Sequence, residues 1–363
     1  MTVLWLFLAA GLLVLGQRAL YRRFWGKGLQ LQLRFDPPAA GAGEAVTLHA
    51  ELSNRKLLPL PLLLYRYTLL RNFEQQKGKP AFSICRRVAL PARRRVRCSL
   101  TLHGLRRGIY TIGGGEFQGQ DLFYTLTLQK QGFTSPARLT VYPEKLDCPA
   151  LSVPYRRLLG TVLTRKHTQE DPFELRGIRP YEIYDSMHMI NWKATAKTGE
   201  LKVNQNDFTT DEALCLIIDA EHGSEEARET VISVASTLSE RFLRRGISVS
   251  LAANARSCIG GREIRVQAGS SVAHQAVIDE MLAQIKLSTQ PSRPLAELLR
   301  ALSEQRSGAL HVLVSAGLPE GDAQEFDQLC RRDGGCCLLL GDQALQARHF
   351  SVLPLALDKE AAS

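Results

Sequence analysis

The sequence lacks the short motifs that identify most enzymes. Its 363 residues contain no P-loop lysine motif, no G-x-S-x-G nucleophile motif and no H-E-x-x-H zinc motif. The eight histidines are dispersed, and a lone histidine such as His188 or His222 is more often a surface or capping residue than a catalytic base. The glycine-rich run 113–119 is close to a dinucleotide-binding motif but favours a hairpin turn. The sequence therefore predicts neither catalysis nor a cofactor.

Paired cysteines are also missing. None of the eight cysteines forms a C-x-x-C pair or a cluster with the short spacing of zinc ligands. Cys215, Cys336 and Cys337 lie in apolar runs, where cysteine behaves as a small hydrophobic residue. No N-x-S/T glycosylation acceptor occurs. This pattern fits a reducing compartment better than a disulfide framework.

The length and composition predict two folded domains with an additional segment. A chain of 363 residues is too long for one ordinary domain, and an apolar fraction of 45% is enough for a packed core. The net charge of +10 suggests an anionic partner, such as lipid head groups, nucleic acid or an acidic protein surface.

The N-terminus carries no charge between residues 2 and 16, and Arg18, Arg22, Arg23 and Lys27 follow. Three interpretations are open: a signal peptide, a buried core helix and a membrane anchor. A signal peptide has its positive charges before the apolar run, whereas here they follow it. The apolar run reaches the length of a membrane span, about 20 residues, if Arg18 extends its side chain to the interface. We expect a single-pass anchor over 1–27, with the bulk of the chain in the cytoplasm by the positive-inside rule.

Two different hydrophobic periods follow the anchor. Residues 29–35, 46–52 and 96–102 alternate apolar and polar side chains, which predicts half-buried strands and a β-sandwich domain over 28–148. Turn signals at 36–38 and 113–115 separate these strands.

After about residue 210, the apolar runs are continuous. Runs at 214–220, 247–252, 310–314 and 336–340 predict strands with both faces covered. One predicted helix is capped by Ser224 and closed by Gly246, and a second has Val277, Met281 and Ile285 on its apolar face. A third is marked by Leu295, Leu298, Leu299 and Leu302, and a fourth covers 323–332. Residues 211–357 therefore predict an α/β domain on a mostly parallel sheet.

Residues 149–210 form the predicted junction, and they contain the segment RGIRPYEIYDSMHMINWKATAKTGELKV at 176–203. This segment resembles the signature of the family named domain of unknown function 58, roughly R-x-Y-x-x-G-D-x-x-R-x-I-x-W-x-A-(S/T)-A-R-x-G-x-L. The matching positions are Arg179, Tyr181, Asp185, Ile190, Trp192, Ala194, Ala196, Gly199 and Leu201, with Lys197 at the basic position. Tyr184 and His188 depart from the pattern, where the family has glycine and arginine. Upstream, 107–113, 121–123 and 141–143 resemble a second series of the same family, with Leu122 in place of its proline.

The resemblance implies a membrane-anchored protein whose C-terminal domain is similar to a von Willebrand factor A domain. It also implies a MoxR-type AAA+ ATPase as partner, sometimes with a transglutaminase-like membrane protein. The family has no established biochemical activity. The fold expected for the whole chain is therefore a transmembrane helix, a β-sandwich and an α/β domain of the von Willebrand factor A type.

A metal site is a weak prediction within this resemblance. Metal-binding A domains use D-x-S-x-S after their first strand, but Asp219 is followed by Ala220, Glu221, His222 and Gly223, so both serines are missing. Hard cations need several oxygen ligands, and only Asp219 and Glu221 are candidates here.

The signature segment has two competing interpretations, a braced structural junction and a surface that binds a partner protein. Its candidate residues are Arg176, Arg179, Tyr181, Asp185, Ile190, Trp192, Lys193 and Lys197. We expect Asp185 to pair with Arg176 or Arg179, and Asp185 or Ser186 to cap a helix in which Ile190 and Trp192 are buried. A carboxylate surrounded by cations is strongly ionised and a poor general base, which disfavours an enzyme site around Asp185.

A cluster of arginines in the β domain is either a solvated strand edge or a surface for anionic lipid, and no nucleic-acid-binding module accompanies it. The lipid-facing candidates are Arg18, Arg22, Arg23, Arg93, Arg94 and Arg95. The expected function is a cytoplasm-facing scaffold or adaptor that works with the ATPase in assembly or maturation of protein complexes or envelope components. The alternatives are an enzyme with a site around Asp185 and a metal-dependent adhesion module.

Overall fold

The structure is a computed structural model. It describes residues 2–72, 82–133, 135–168, 175–182, 187–206, 214–287, 293–305, 308–341 and 347–355. The chain divides into two compact units. The first comprises Met1–Glu144, Cys258–Gly261 and Leu282–Lys286, and the second comprises Lys145–Ser257, Arg262–Met281 and Leu287–Ser363.

The first unit contains one helix and nine strands among its described residues. They are α1 (Thr2–Phe24), β1 (Leu29–Asp36), β2 (Ala39–Gly41), β3 (Val46–Asn54), β4 (Leu60–Arg71), β5 (Phe82–Leu90), β6 (Arg95–Leu102), β7 (Gly108–Gln120), β8 (Thr127–Phe133) and β9 (Arg138–Tyr142). One sheet has the order β1-β3-β6, and the other has the order β2-β9-β7-β4-β5 with β8 added beside β7. Both sheets contribute to one apolar core.

The alternating runs form strands where the sequence predicts them. β1 and β3 pair antiparallel, which places Leu33 opposite Ala50 and Phe35 opposite Leu48. Phe35 and Leu48 are buried, whereas the polar residues between the apolar positions of β1 are exposed. The period of two is therefore confirmed as the signal of a half-buried sheet.

The predicted turn at residues 113–115 is wrong, because these glycines lie inside β7. A Cβ atom on Gly115 would lie 1.9 Å from the ring of Phe133, and one on Gly113 would lie 3.0 Å from the side chain of Leu70. Glycine serves here to admit neighbouring side chains against the strand backbone rather than to reverse the chain.

Helix α1 is long and apolar enough to cross a membrane, although a signal sequence would pass the same test. Its apolar stretch is not buried in the protein; for example, Leu4, Trp5 and Phe7 are exposed. The C-terminal end of α1 behaves differently. Tyr21 is fully buried and donates a hydrogen bond from its hydroxyl to the carbonyl oxygen of Pro59 at 2.6 Å, and Trp25 lies in the same core.

The second unit contains six helices, eight strands and two short 3-10 helices among its described residues. They are 3-10 turns at Pro149–Leu151 and Met187–Met189, α2 (Ser152–Thr168), β10 (Leu175–Pro180), α3 (Trp192–Thr198), β11 (Lys202–Asn206), β12 (Leu214–Ile218), α4 (Glu225–Leu243), β13 (Val249–Arg256), β14 (Glu263–Gly269), α5 (His274–Ala283), α6 (Leu295–Ser303), β15 (Leu310–Ser315), α7 (Glu320–Asp333), β16 (Gly335–Leu340) and β17 (Phe350–Leu355). The main sheet has the order β14-β13-β12-β15-β16-β17. Only β14 runs antiparallel to its neighbour, so the predicted mostly parallel sheet is confirmed.

Local helix signals are confirmed for α4 and partly wrong for α5. The Ser224 hydroxyl accepts a hydrogen bond from the amide of Ala227, as an N-cap residue should, and Gly246 has φ +70° after the helix ends. In α5 the buried face carries Ile278 and Leu282, whereas Val277 is 49% exposed. Several closely spaced apolar residues allow more than one stripe, and only tertiary packing selects the buried one.

We expect Gly119→Ala to destabilise the first unit, because a Cβ atom there would lie 2.9 Å from the ring of Trp25. Overpacking of this kind typically costs about 1–3 kcal/mol. Gly114→Ala in the same strand is the matched control, since no atom lies within 4 Å of its Cβ position. Thermal unfolding of the full chain in detergent compares the two variants. Equal unfolding midpoints would show that Trp25 is not held against β7.

Candidate functional site

The carboxyl end of the parallel sheet gathers polar residues in the second unit. β12 lies between β13 and β15: the chain passes from β12 to β13 and β14 on one side, and then crosses to β15, β16 and β17 on the other. A crevice at such a switch point is the usual ligand site of an α/β sheet. Asp219 directly follows β12 and Ser315 ends β15 at this edge. Both residues are fully buried.

The two carboxylate oxygens of Asp219 are occupied by groups of the protein itself. Oδ1 accepts hydrogen bonds from the backbone amide of Glu221 at 2.9 Å and from the side-chain amide of Asn254 at 3.3 Å. Oδ2 accepts a hydrogen bond from the Ser315 hydroxyl at 2.5 Å and lies 3.0 Å from Nδ1 of His222. A buried carboxylate with donors on both oxygens satisfies most of its hydrogen-bonding capacity internally.

His222 lies between two carboxylates. Its Nδ1 faces Asp219, and its Nε2 lies 3.5 Å from Oδ2 of Asp322 in the first turn of α7. The hydrogen bond to Asp219 raises the pKa of His222, and the charges of Asp219, Glu221 and Asp322 act in the same direction against the effect of burial. Burial raises the pKa of Asp322, although the neighbouring His222 opposes this. The arrangement favours an imidazolium between acidic groups.

The residues at this edge do not fit the metal site that an A-type domain implies. Glu221 is engaged elsewhere, because its Oε2 accepts a hydrogen bond from the Leu295 amide at the start of α6 at 2.8 Å. The motif's second serine has no room at position 223, where φ is +90° and a Cβ atom would lie 2.6 Å from that of Ala316. Within the described ranges, no group of three or more His, Cys, Asp or Glu side chains is arranged to hold a metal ion.

Sequence reasoning missed three members of this cluster, Ser315, Asn254 and Asp322, and treated His222 as peripheral. Asn254 ends up beside Asp219 only because β13 pairs in parallel with β12. Asp322 arrives from the helix after β15. The spacing D-x-x-H was the one local signal that could have placed His222 near Asp219.

We expect the stability around β12 and β15 to fall as the pH rises above about 6.5, the ordinary pKa of histidine. A raised folded-state pKa stabilises the fold fully below the unfolded value, and this stabilisation is lost as the pH rises through the folded value. A hydrogen bond to a charged group contributes on the order of 1.5–3 kcal/mol. Amide-exchange protection factors of β12 and β15 measure the loss.

His222→Gln should remove this pH dependence, because glutamine does not titrate. His188→Gln, at an exposed histidine, is the matched control and should retain it. Identical pH profiles for the His222 variant and the unchanged chain would contradict the ion-pair assignment.

The signature segment folds around a two-stranded antiparallel sheet. β10 and β11 pair so that Arg179 lies opposite Val203, and an additional bridge joins Ile190 to Val203. The side chain of Asn191 connects α3 to β11. Its Oδ1 accepts a hydrogen bond from the backbone amide of Ala194, and its Nδ2 donates one to Asn204 Oδ1 at 2.6 Å. We call residues 175–182 and 187–206 the hairpin motif.

The structure corrects the predicted helix within this motif. α3 begins at Trp192 with Asn191 as its N-cap, so neither Asp185 nor Ser186 caps it. Ile190 is buried as predicted, but Trp192 is 66% exposed, because it starts a helix with no buried residue. Gly199 ends the helix with φ +74°.

The described candidate residues of the motif lie mostly at its surface. Lys193 and Lys197 are exposed on α3, Tyr181 is half-buried, and Arg179 lies 4.0 Å from Glu182. Asp185 and the side chain of Arg176 lie outside the described residues, so their expected pairing stays a prediction. Four large apolar side chains of the motif are exposed: Ile178 at 48%, Met187 at 68%, Trp192 at 66% and Leu201 at 46%.

The predicted lipid-facing arginines occupy different surroundings. Arg22, Arg23, Arg93 and Arg94 are exposed, and Arg18 is half-buried. Arg95 is exposed but forms an ion pair with Glu51 at 3.3 Å on the neighbouring strand. Glu51 also forms an ion pair with Arg97. The hydrogen bond from Arg97, and then the charges of Arg97 and Arg95, lower the pKa of Glu51. Arg107, in contrast, is buried.

Comparison with known proteins adds little. No protein-family model matches the chain, and no curated protein matches it significantly. Among solved structures, a CARDB domain from Pyrococcus furiosus is 13% identical over 32% of this chain and 94% of its own length, with a TM-score of 0.22. The DNA glycosylase AlkC of Pseudomonas fluorescens is 14% identical over 30% of this chain and 31% of its own length, with a TM-score of 0.20. A β-N-acetylglucosaminidase of Vibrio harveyi is 9% identical over 92% of this chain and 79% of its own length, with a TM-score of 0.24. TM-scores this low carry no argument about fold or function.

Proposed function

We propose that this protein is a membrane-anchored adaptor of the domain of unknown function 58 family that binds a MoxR-type AAA+ ATPase through the hairpin motif. The observation that carries the proposal is the exposure of Trp192 in the segment that resembles the family signature. The adaptor faces the cytoplasm and supports the assembly or maturation of protein complexes or envelope components.

The surface of the hairpin motif has the composition of a protein-binding site. Tryptophan is enriched among the residues that dominate binding energies, where its truncation often costs about 2 kcal/mol or more. Met187, Ile178 and Leu201 supply further exposed apolar area in the same motif. Lys193 and Lys197 add positive charge on α3, so the complementary partner surface is apolar with an acidic rim.

The carboxylate cluster at the sheet edge supports binding rather than metal-dependent adhesion. Asp219 and Glu221 already accept hydrogen bonds from the protein, and the imidazole of His222 lies between Asp219 and Asp322. Recognition of a partner by this unit therefore has no need of a divalent cation. The A-type fold itself stays part of the proposal, together with the family.

We expect Trp192→Ala to weaken binding of the neighbouring ATPase to the full chain by about tenfold or more, since 1.4 kcal/mol corresponds to a factor of ten. Pull-down and titration, each with and without nucleotide, measure the change. Val272→Ala is the matched control, because Val272 is an exposed apolar residue of the same unit outside the motif, at 71% exposure. Unchanged affinity in a folded Trp192 variant would remove the motif from the interface. Absence of ATPase binding in every nucleotide state would overturn the adaptor proposal.

The topology has its own test. A reporter that is active only in the cytoplasm, fused at the C-terminus, should give full signal, because Arg22, Arg23 and Lys27 follow the apolar stretch. A reporter that is active only outside the cytoplasm should stay silent. The reverse result would overturn the cytoplasmic orientation and leave the anchor itself in place.

A further inference from the structure

Several segments of the first unit converge just beyond the C-terminal end of α1. The Arg55 amide donates a hydrogen bond to the carbonyl oxygen of Gly28 at 3.0 Å, which joins the β3–β4 loop to the segment after the helix. The amide of Arg93 donates one to the carbonyl oxygen of Lys56 at 3.0 Å, which adds the β5–β6 loop. Each of these segments carries basic side chains.

Two lysine ammonium groups are fixed on adjacent carbonyl oxygens at this place. Lys56 Nζ donates to the carbonyl oxygen of Lys27 at 3.2 Å, and Lys130 Nζ donates to that of Gly26 at 2.9 Å. The stem of Lys130 lies against Gly26, since a Cβ atom there would lie 3.0 Å from Lys130 Cδ. Backbone carbonyl oxygens just after the end of α1 therefore hold both side chains in place.

Among the described residues, no carboxylate balances the positive charge gathered here. In the ranges that the structure covers, Lys27, Arg55, Lys56, Arg93 and Lys130 form no ion pair with a carboxylate. Burial, and then the charge of Lys130, lowers the pKa of Lys56 to about 8. This contrasts with the neighbouring strand β6, where two arginines share a glutamate.

The position of this cluster along α1 points to the phosphate groups of lipids as its anionic partners. Tyr21 is buried in the β core, so the stretch of α1 available to the bilayer is Val3–Leu20. At 1.5 Å per residue this stretch is roughly 27 Å long, close to the ~30 Å hydrocarbon core of a bilayer. With α1 across the bilayer, residues just after Phe24 lie at the level of the lipid head groups. Phosphate oxygens of the cytoplasmic leaflet then surround the cluster.

We propose that Lys56 and Lys130 form a binding site for the phosphate of an anionic phospholipid, with Lys27 and Arg55 adding positive charge beside it. This inference rests on the proposed membrane anchoring of α1. The phosphate balances the two ammonium groups, and an anionic lipid is favoured because it brings no ammonium group of its own. Neither lysine stands out in the sequence; the fold brings them together across 74 residues.

The test uses the full chain in lipid nanodiscs of phosphatidylcholine alone or with added phosphatidylglycerol. The readout is the rate of amine acylation at Lys56, followed by mass spectrometry. At about pH 7.5 a lysine with a pKa of about 8 is roughly one-quarter neutral, whereas the ordinary value near 10.4 lowers the neutral fraction on the order of a hundredfold. Phosphatidylglycerol should therefore slow the labelling of Lys56 at least about tenfold. Labelling of the exposed Lys193 should not change.

A pair of double variants tests the residues. We expect native mass spectrometry to show phosphatidylglycerol retained on the unchanged chain. The double variant Lys56→Gln with Lys130→Gln should lose this lipid. Lys193→Gln with Lys197→Gln removes the same charge from the second unit and should retain the lipid. Equal retention in both double variants would overturn the assignment to Lys56 and Lys130.

Two further experiments distinguish lipid phosphate from free phosphate, and the head-group site from the membrane anchor. Inorganic phosphate added to phosphatidylcholine nanodiscs should leave Lys56 reactive, and equal protection by free phosphate would overturn the lipid assignment. A chain that stays in the nanodisc with Lys56 equally reactive in both lipids would overturn the head-group site alone. A chain that washes out of every nanodisc would overturn the anchor and the site together.

Discussion

The burial of Tyr21 and Trp25 in the β core is the constraint on which the first unit depends. These residues make the end of an otherwise exposed apolar helix part of a folded domain, so helix and domain are one structural piece. The fit is tight, since glycine at position 119 is what admits the Trp25 ring. A hydrogen bond from Tyr21 to Pro59 also fixes the start of β4 relative to the helix. The basic residues beyond the helix therefore have a defined depth rather than the variable reach of a flexible tail.

The second unit solves a different electrostatic problem. Its buried carboxylate, Asp219, lies where an α/β sheet usually offers its crevice, and burial of an unpaired charge would be costly. Amide, hydroxyl and imidazole donors surround it, and Asp322 faces the other side of the imidazole. The group between the carboxylates is thus an imidazole of the chain itself, which makes the edge part of the folded architecture.

Much of the fold could be predicted because it follows from local periodicity. The alternation in β1 and β3, the continuous apolar run of β12 and the serine cap of α4 all report on burial or hydrogen bonds within a few residues. Features set by tertiary neighbours could not be read in this way. Glycines 113–115 resemble a turn in the sequence, but Gly113 and Gly115 lie against the side chains of Leu70 and Phe133 inside a strand. Trp192 resembles a core residue, but α3 has no buried residue. His222 and Lys56 acquire their meaning from partners brought by distant strands and helices.

The hairpin motif has a consequence for motion. Among its described residues only Ile190 and Val203 are buried, so little apolar burial opposes its opening. Such a segment opens locally at a lower free energy than the whole unit, and its amides exchange with solvent sooner than those of the buried sheet. A partner that captures the closed form must then supply part of the ordering free energy, which lowers its affinity. An interface of this kind releases readily, which suits the proposed adaptor that an ATPase engages and discharges repeatedly.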